Sequence, residues 1–260
     1  MIKKTGEILR KRNLEKSYFV LYCMEADMYL EDEYIKDNRK KLYVFFGCTL
    51  EGKKKYVTSI FEDEVVKTSE WYEFLQRLKG RGIEKIIFAL LPSIKELKDA
   101  MNLSFKEVEI FESCDRTIKK LNKYNSFKTN SELYKQVKKL YLAKDLLEYE
   151  LNYEEFINKY SEYGFIMDML NEQIKALRSN YKYSSKIRRI IYAFNYIIEM
   201  EKRFHILCNE KIYKDKEEFI DDCSWFIYQS ELAVHYKREE WVEVLNEIYE
   251  SKRNLIQPYL

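Results

Sequence analysis

The sequence predicts an α/β fold: a mixed β-sheet built in the order β-β-β-α-β-α-β, followed by a long all-helical part. Three observations carry this expectation. Aromatic and aliphatic runs joined by a Gly-containing turn fill the front of the chain, the pattern of an antiparallel meander. Continuous apolar runs then alternate with amphipathic stretches, as strands and helices do in layered α/β domains. From about residue 130 onward, apolar residues recur at i, i+3 and i+4 almost without a break.

The elements follow in order. SYFVLYCMEADMYL (17–30) reads as a strand, KLYVFFGCTL (41–50) as a second, and the EGKK turn (51–54) leads into YVTSIF (56–61). In SEWYEFLQRLKGRG (69–82), Ser69 is the expected N-cap, Trp71, Phe74, Leu75 and Leu78 share one helical face, and Gly80 and Gly82 stop the helix. IEKIIFALL (83–91) is a continuous apolar strand of the kind buried on both faces. SIKELKDAM (93–101) is a short helix, VEIFES (108–113) a fifth strand, and CDRTIKKLNKY (114–124) the start of a third helix. Three antiparallel strands followed by alternating helix and strand is the RNase-H-like order, which other α/β folds share in part. Helices are expected over 131–151, 153–180, 186–208, 216–234 and 239–252, and Ser131 is not followed by a capping box. The expected division is 1–128 as the first part of the core, 129–185 as a helical insertion, and 186–260 as a returning core helix with C-terminal helices.

Composition narrows the function. The 260 residues carry 46 Lys+Arg against 44 Asp+Glu, a net charge of +2, with 46% hydrophobic residues. Such a chain has enough apolar surface to fold, and any nucleic-acid site must be a local patch, not a global field. With six Gly and two Pro there is no GxGxxG or GxxxxGK[ST] phosphate loop. No apolar run approaches the roughly 20 residues of a membrane span, and MIKKTGEILRKRN lacks a signal-peptide core, so a cytoplasmic protein without a membrane partner is expected. The five cysteines, Cys23, Cys48, Cys114, Cys208 and Cys223, form no CxxC pair and read as buried thiols. His205 and Cys208 lie one helical turn apart, but two ligands do not complete a zinc site. No cofactor is expected.

Two segments carry a resemblance. In SEWYEFLQRLKGRGIEKIIFALLPSIKELKDAM (69–101), the residues Trp71, Leu78, Lys79, Arg81, Gly82, Ile94, Lys95 and Ala100 stand in a recurring order. In SSKIRRIIYAFNYIIEME (184–201), Ile187, Arg188, Arg189, Ile191, Tyr192, Asn195 and Ile197 do the same, and RNLEKSYFVLY (12–22) precedes the first strand in a matching way. Together they resemble the catalytic domain of mutator-type bacterial insertion-sequence transposases, from about residue 12 to about 250. The resemblance implies an RNase-H-like fold with a helical insertion. It also implies metal-dependent DNA strand transfer, in which three carboxylates hold two Mg²⁺ or Mn²⁺ ions at a scissile phosphate.

The sequence departs from that pattern at all three acidic positions. The first reads Met24 or Glu25, depending on a one-residue shift; the second reads Pro92; the third reads Ile198, with Glu199 turned by about 100° on the helix. The family's Cys-x-x-His reads Cys114 to Thr117, and residues 1–16 are too short for the family's N-terminal DNA-binding region. No retained catalytic residue and no metal ligand are therefore expected. Glu25, Asp27, Glu199 and Glu201 stand near enough to leave open a displaced site that would use Mg²⁺ or Mn²⁺.

Basic residues interleaved with aromatics suit a phosphate backbone. One stripe is Lys119, Lys120, Lys123 and Lys128 beside Tyr124; another is Lys175, Arg178, Lys182, Lys186, Arg188 and Arg189 with Tyr181 and Tyr183. Solvated helix faces would look the same. The candidate nucleic-acid contacts are Arg188, Arg189, Arg178, Lys182, Lys119, Lys120 and Lys123. Lys3, Lys4, Arg10, Lys11 and Arg12 form a further basic cluster at the N-terminus. The expectation is a transposase-derived protein without catalytic activity that binds DNA and associates with itself or with a related transposase. The alternatives are an active transposase or nuclease with a displaced acidic site, and an interaction scaffold without DNA binding.

Overall fold

The structure is a computed structural model that describes residues 11–28, 40–113, 130–162, 164–192, 200, 204, 206, 211–222 and 238–259. Contacts divide the chain into a discontinuous unit, 1–111 with 194–260, and a continuous one, 112–193. Among the described residues no helix is long and apolar enough to cross a membrane.

The discontinuous unit holds a five-stranded mixed sheet, so the α/β expectation holds. Strands β1 (Ser17–Met28), β2 (Lys40–Thr49), β3 (Lys54–Phe61), β4 (Lys85–Leu91) and β5 (Glu109–Glu112) lie in the order β3-β2-β1-β4-β5. β1 runs antiparallel to β2 and β2 to β3, while β1 and β4 are parallel, from Ser17↔Lys85 to Tyr22↔Leu90. The nearly unbroken apolar character of β1 and β4 follows from this central place, where both faces are covered.

Helices α1 (Thr68–Gly80) and α2 (Lys95–Ser104) connect the strands and bury one sheet face. Trp71, Phe74, Leu75 and Leu78 of α1 and Leu97, Ala100 and Met101 of α2 join Leu21, Cys23, Tyr43 and Phe45 in one cluster. The expected N-cap at Ser69 is corrected. The helix begins at Thr68, and the Glu70 carboxylate reaches back to the N–H groups of Val66 and Lys67 at 2.7 and 2.8 Å. A longer carboxylate satisfies two of the unpaired amides of the first turn, which the Ser69 hydroxyl is placed too late to do.

The other sheet face receives the end of the chain. A helix over 216–222 (α7) follows Tyr213, and α8 (Arg238–Ile256) bends at Lys252, whose φ of −134° is not helical. Trp241 of α8 packs edge-on against Phe19 at 5.1 Å, and Lys252 lies over the Phe88 ring at 5.6 Å and pairs with Glu109 at 3.1 Å.

The second unit is helical: α3 (Asn130–Leu142), α4 (Leu146–Tyr160), α5 (Gly164–Leu177), a 3-10 turn (Arg178–Lys182) and α6 (Ser185–Tyr192). The helix expected over 131–151 is two helices. Asp145 ends the run, because its side chain accepts from the Glu148 N–H at 2.9 Å while Glu148 accepts from the Lys144 N–H at 2.7 Å. This reciprocal cap starts α4 inside a stretch whose apolar period never falters. The expected helix over 153–180 is likewise divided among the end of α4, α5 and the 3-10 turn. The helix expected over 114–124 lies outside the described residues.

Candidate functional site

Register decides what stands at the first acidic position. Met24 pairs with Val44 and Glu25 with Tyr43. Side chains alternate along a strand, so neighbours point to opposite faces. Leu21 and Cys23 belong to the cluster under α1 and α2, and Glu25 keeps their parity; Tyr22 stacks on Phe46 at 5.1 Å on the other face, and Met24 keeps that parity. The charge distribution agrees. The Cys23 thiol is pushed well up, first by burial and then by the Glu25 charge, and the Tyr43 hydroxyl is pushed up by burial and by Glu62 and Glu25. Tyr43 donates to Glu62 Oε1 at 3.2 Å, and Lys41 pairs with the same oxygen at 3.2 Å.

Met24 is 4% exposed. Two residues beyond the last parallel pair, Tyr22↔Leu90, stand Met24 and Pro92, and β4 has ended at Leu91. A thioether and a pyrrolidine supply no hard oxygen donor, so these positions do not fit a pair of Mg²⁺ ions. Among the described residues no group of three or more His, Cys, Asp or Glu could hold a metal. Ile198, Glu199, Glu201, His205, Cys208, Cys114 and Thr117 lie outside the described residues.

The two adjacent arginines part company. Arg188 is 2% exposed, and its guanidinium is spent on the chain's own carbonyls. Nε donates to Tyr183 O (3.1 Å), Nη1 to Tyr141 O (3.4 Å), and Nη2 to Ala143 O (2.7 Å) and Lys144 O (3.0 Å). The cation lies 3.9 Å from the centre of the Tyr181 ring, whose hydroxyl donates to Leu140 O. This replaces the phosphate contact expected at Arg188 with an internal role: it ties the last carbonyls of α3 to α6, where a cation complements the helix dipole. Arg189 is exposed, as are Lys186, Lys182 and Lys175. Lys182 lies over the Tyr183 ring at 5.0 Å, and Arg178 is exposed and pairs with Glu150 at 2.6 Å. Lys119, Lys120, Lys123 and Lys128 lie outside the described residues, as do Lys3, Lys4 and Arg10. Arg12 of the N-terminal cluster donates inward to Tyr56 O.

The other shared motif residues are also ties. Lys79 donates to Ser104 O at 3.1 Å, closing α1 onto the end of α2. Arg81 donates to Arg12 O and Val57 O, both at 3.2 Å, and its own carbonyl accepts from Leu14 N at 2.7 Å. Gly82 has φ +117°, and a Cβ there would meet the Leu14 carbonyl oxygen at 3.0 Å. The chain entering β1 is thus clamped against the turn after α1. Sequence reasoning missed this clamp, although the Arg-Gly pair after a helix was the visible signal for it.

A model of the family described as "Transposase, Mutator family" matches residues 2–212. The chain is also 21% identical, over 247 residues, to a "Probable transposase for insertion sequence element ISRM3-like" of Sinorhizobium fredii (strain NBRC 101917 / NGR234). That match covers 94% of this chain and spans 61% of the relative's length. The helix face of Trp71, the Lys79–Arg81–Gly82 clamp and the Arg188 tie are therefore this chain's form of a shared framework, and the chain belongs to the Mutator family of transposases.

Proposed function

We propose that this protein is a transposase-derived DNA-binding protein with an RNase-H-like core that does not cut or join DNA. The strand order β3-β2-β1-β4-β5, with β1 parallel to β4 and antiparallel to β2, supports the RNase-H-like reading. One observation carries the loss of chemistry: Met24, buried, and Pro92 stand where two of the three carboxylates would hold metal, while Glu25 belongs to the opposite face. Two-metal chemistry needs oxygen ligands on both sides of the scissile phosphate, and neither residue supplies one. The DNA contact is a patch built from Arg189, Lys186 and Lys182 around the first turn of α6, which contains no acidic residue. Exposed cations beside a helix N-terminus favour phosphate.

The test is a titration of labelled duplex DNA at low and moderate salt with Mg²⁺ or Mn²⁺ present, followed by a denaturing gel. Binding that weakens steeply with salt, with intact strands, is the expected result. Cut strands would show that an acidic site has been rebuilt elsewhere. Absence of binding would overturn the DNA reading.

A further inference from the structure

We propose that the outward face of α4 is a self-complementary contact surface for a second copy of this chain. The inference stands apart from the DNA reading, because it uses a different face of the helical unit.

The inner face of α4 is fully employed. Tyr149, Phe156 and Tyr160 are buried, the Tyr149 hydroxyl donates to Ile174 O at 2.8 Å, and Tyr153 reaches Asn171 at 3.4 Å. On the opposite side Leu147 is 71% exposed and Leu151 59%. Scattered exposed leucines are ordinary, but these two are i, i+4 neighbours on one face. They continue a 3-4-3-4 spacing through Lys144, Leu147, Leu151, Glu154 and Asn158, the spacing of a helix seam that meets another helix. All five side chains are exposed.

The charges on that seam say what meets it. A two-fold axis crossing α4 at Tyr149 sets Leu147 against the partner's Leu151, and Leu151 against the partner's Leu147. The same axis sets Lys144 against the partner's Glu154 and Glu154 against the partner's Lys144. Four leucines thus form a closed core flanked by two opposite-charge pairs, which is the self-complementarity an isologous interface requires. A parallel pairing would set lysine on lysine and glutamate on glutamate. The carboxylates beside the seam are already committed: Glu148 to the Lys144 N–H, Glu150 to Arg178, and Glu155 to Gln136 and Lys139. Lys144 is held only loosely within its own chain, 3.9 Å from Asp145. Two helical turns bury well under the roughly 1,600 Å² of a standard interface, so the pair forms and dissociates with concentration.

The test is sedimentation velocity on the full chain, without DNA, over a concentration series. The wild type should pass from monomer to dimer as concentration rises. Leu147→Glu with Leu151→Glu should weaken the dimer at least tenfold while leaving the melting temperature in place. Lys144→Glu alone and Glu154→Lys alone should each weaken it several-fold, and the two together should restore it. A chain that stays monomeric at every concentration would overturn the proposal. So would a dimer indifferent to the leucine substitutions, or a double charge swap no better than either single one.

Discussion

The indole N–H of Trp241 donates to the carbonyl of Leu50 at 2.6 Å, joining residues 191 positions apart in the sequence. The same ring lies over Gly52, where a Cβ would meet it at 3.0 Å, and Gly52 has φ +76°. The β2–β3 turn is therefore held by the last helix as well as by its own Thr49 hydroxyl, which accepts from Glu51 N and Lys53 N. Gly52→Ala should cost about 1–3 kcal/mol, from the left-handed backbone and the ring contact together. Trp241→Phe should cost a similar amount, because the buried Leu50 carbonyl loses its donor. Urea unfolding measures both, and a Gly52→Ala protein as stable as the wild type would rule out the ring contact.

Arg188 and Arg189 should respond in opposite ways. Arg188→Lys keeps the charge but cannot span four carbonyls with one ammonium, and should cost roughly 2–4 kcal/mol of stability. Arg189→Ala should leave stability within about 0.5 kcal/mol and lower the salt slope of DNA binding by about one. Thermal melts and a salt-dependent titration separate the two, and equal melting losses in both variants would contradict the inward–outward division.

Lys54, 5% exposed, sits opposite Cys48 in the β2–β3 pairing. Burial pushes its ammonium down to about 8, and the Cys48 charge opposes that only in part. An unfolded lysine titrates near 10.4, so between about pH 8 and 10 the unfolded chain binds more protons and stability rises with pH. Below pH 8 the full cost of the buried charge is present. Cys48 works the other way: burial pushes its thiol up to about 12, while an unfolded thiol ionises near 8.5, so its contribution falls above that pH. Lys54→Met isolates the lysine. It should be more stable than the wild type by up to about 3 kcal/mol at pH 7, with the difference shrinking toward pH 10. Denaturant titrations at pH 7 and pH 10 check this, and an unchanged or lower stability at pH 7 would contradict it.

Asp145→Ala removes the cap that starts α4 and should cost about 1 kcal/mol. Glu148→Gln should cost less, since an amide oxygen still accepts from Lys144 N. Circular dichroism during thermal unfolding compares the pair, and an Asp145→Ala melt identical to the wild type would dispose of the cap.

The strands were legible because β1, β2 and β4 are apolar on both faces, and few local patterns compete with that. The helix break at Ala143–Asp145 was not, because Leu142, Leu146 and Leu147 keep the apolar period running through it; only the Asp145–Glu148 spacing marks the stop. The acidic centre was legible as a departure from a family pattern, but not as a geometry. Met24 and Glu25 are one residue apart, and a slip of one residue exchanges the faces of a strand, so only the pairing with Val44 and Tyr43 assigns each its side. Arg188 and Arg189 pose the same problem on a helix. Two adjacent cations read alike in sequence, and a turn of about 100° between them makes one a core residue and the other a surface one.

The division of the chain has a consequence during synthesis. The continuous unit, 112–193, has all its residues once the ribosome has passed it, and can close at once. The sheet of the other unit is translated first, yet its second face waits for Trp241 and Lys252. At about 5–20 residues per second, the strands spend on the order of ten seconds as a half-covered layer, with Phe19, Phe88 and Tyr22 uncovered. In the cell, that interval is when this protein most needs a chaperone, and it is set by the order of the gene and not by the strength of the fold.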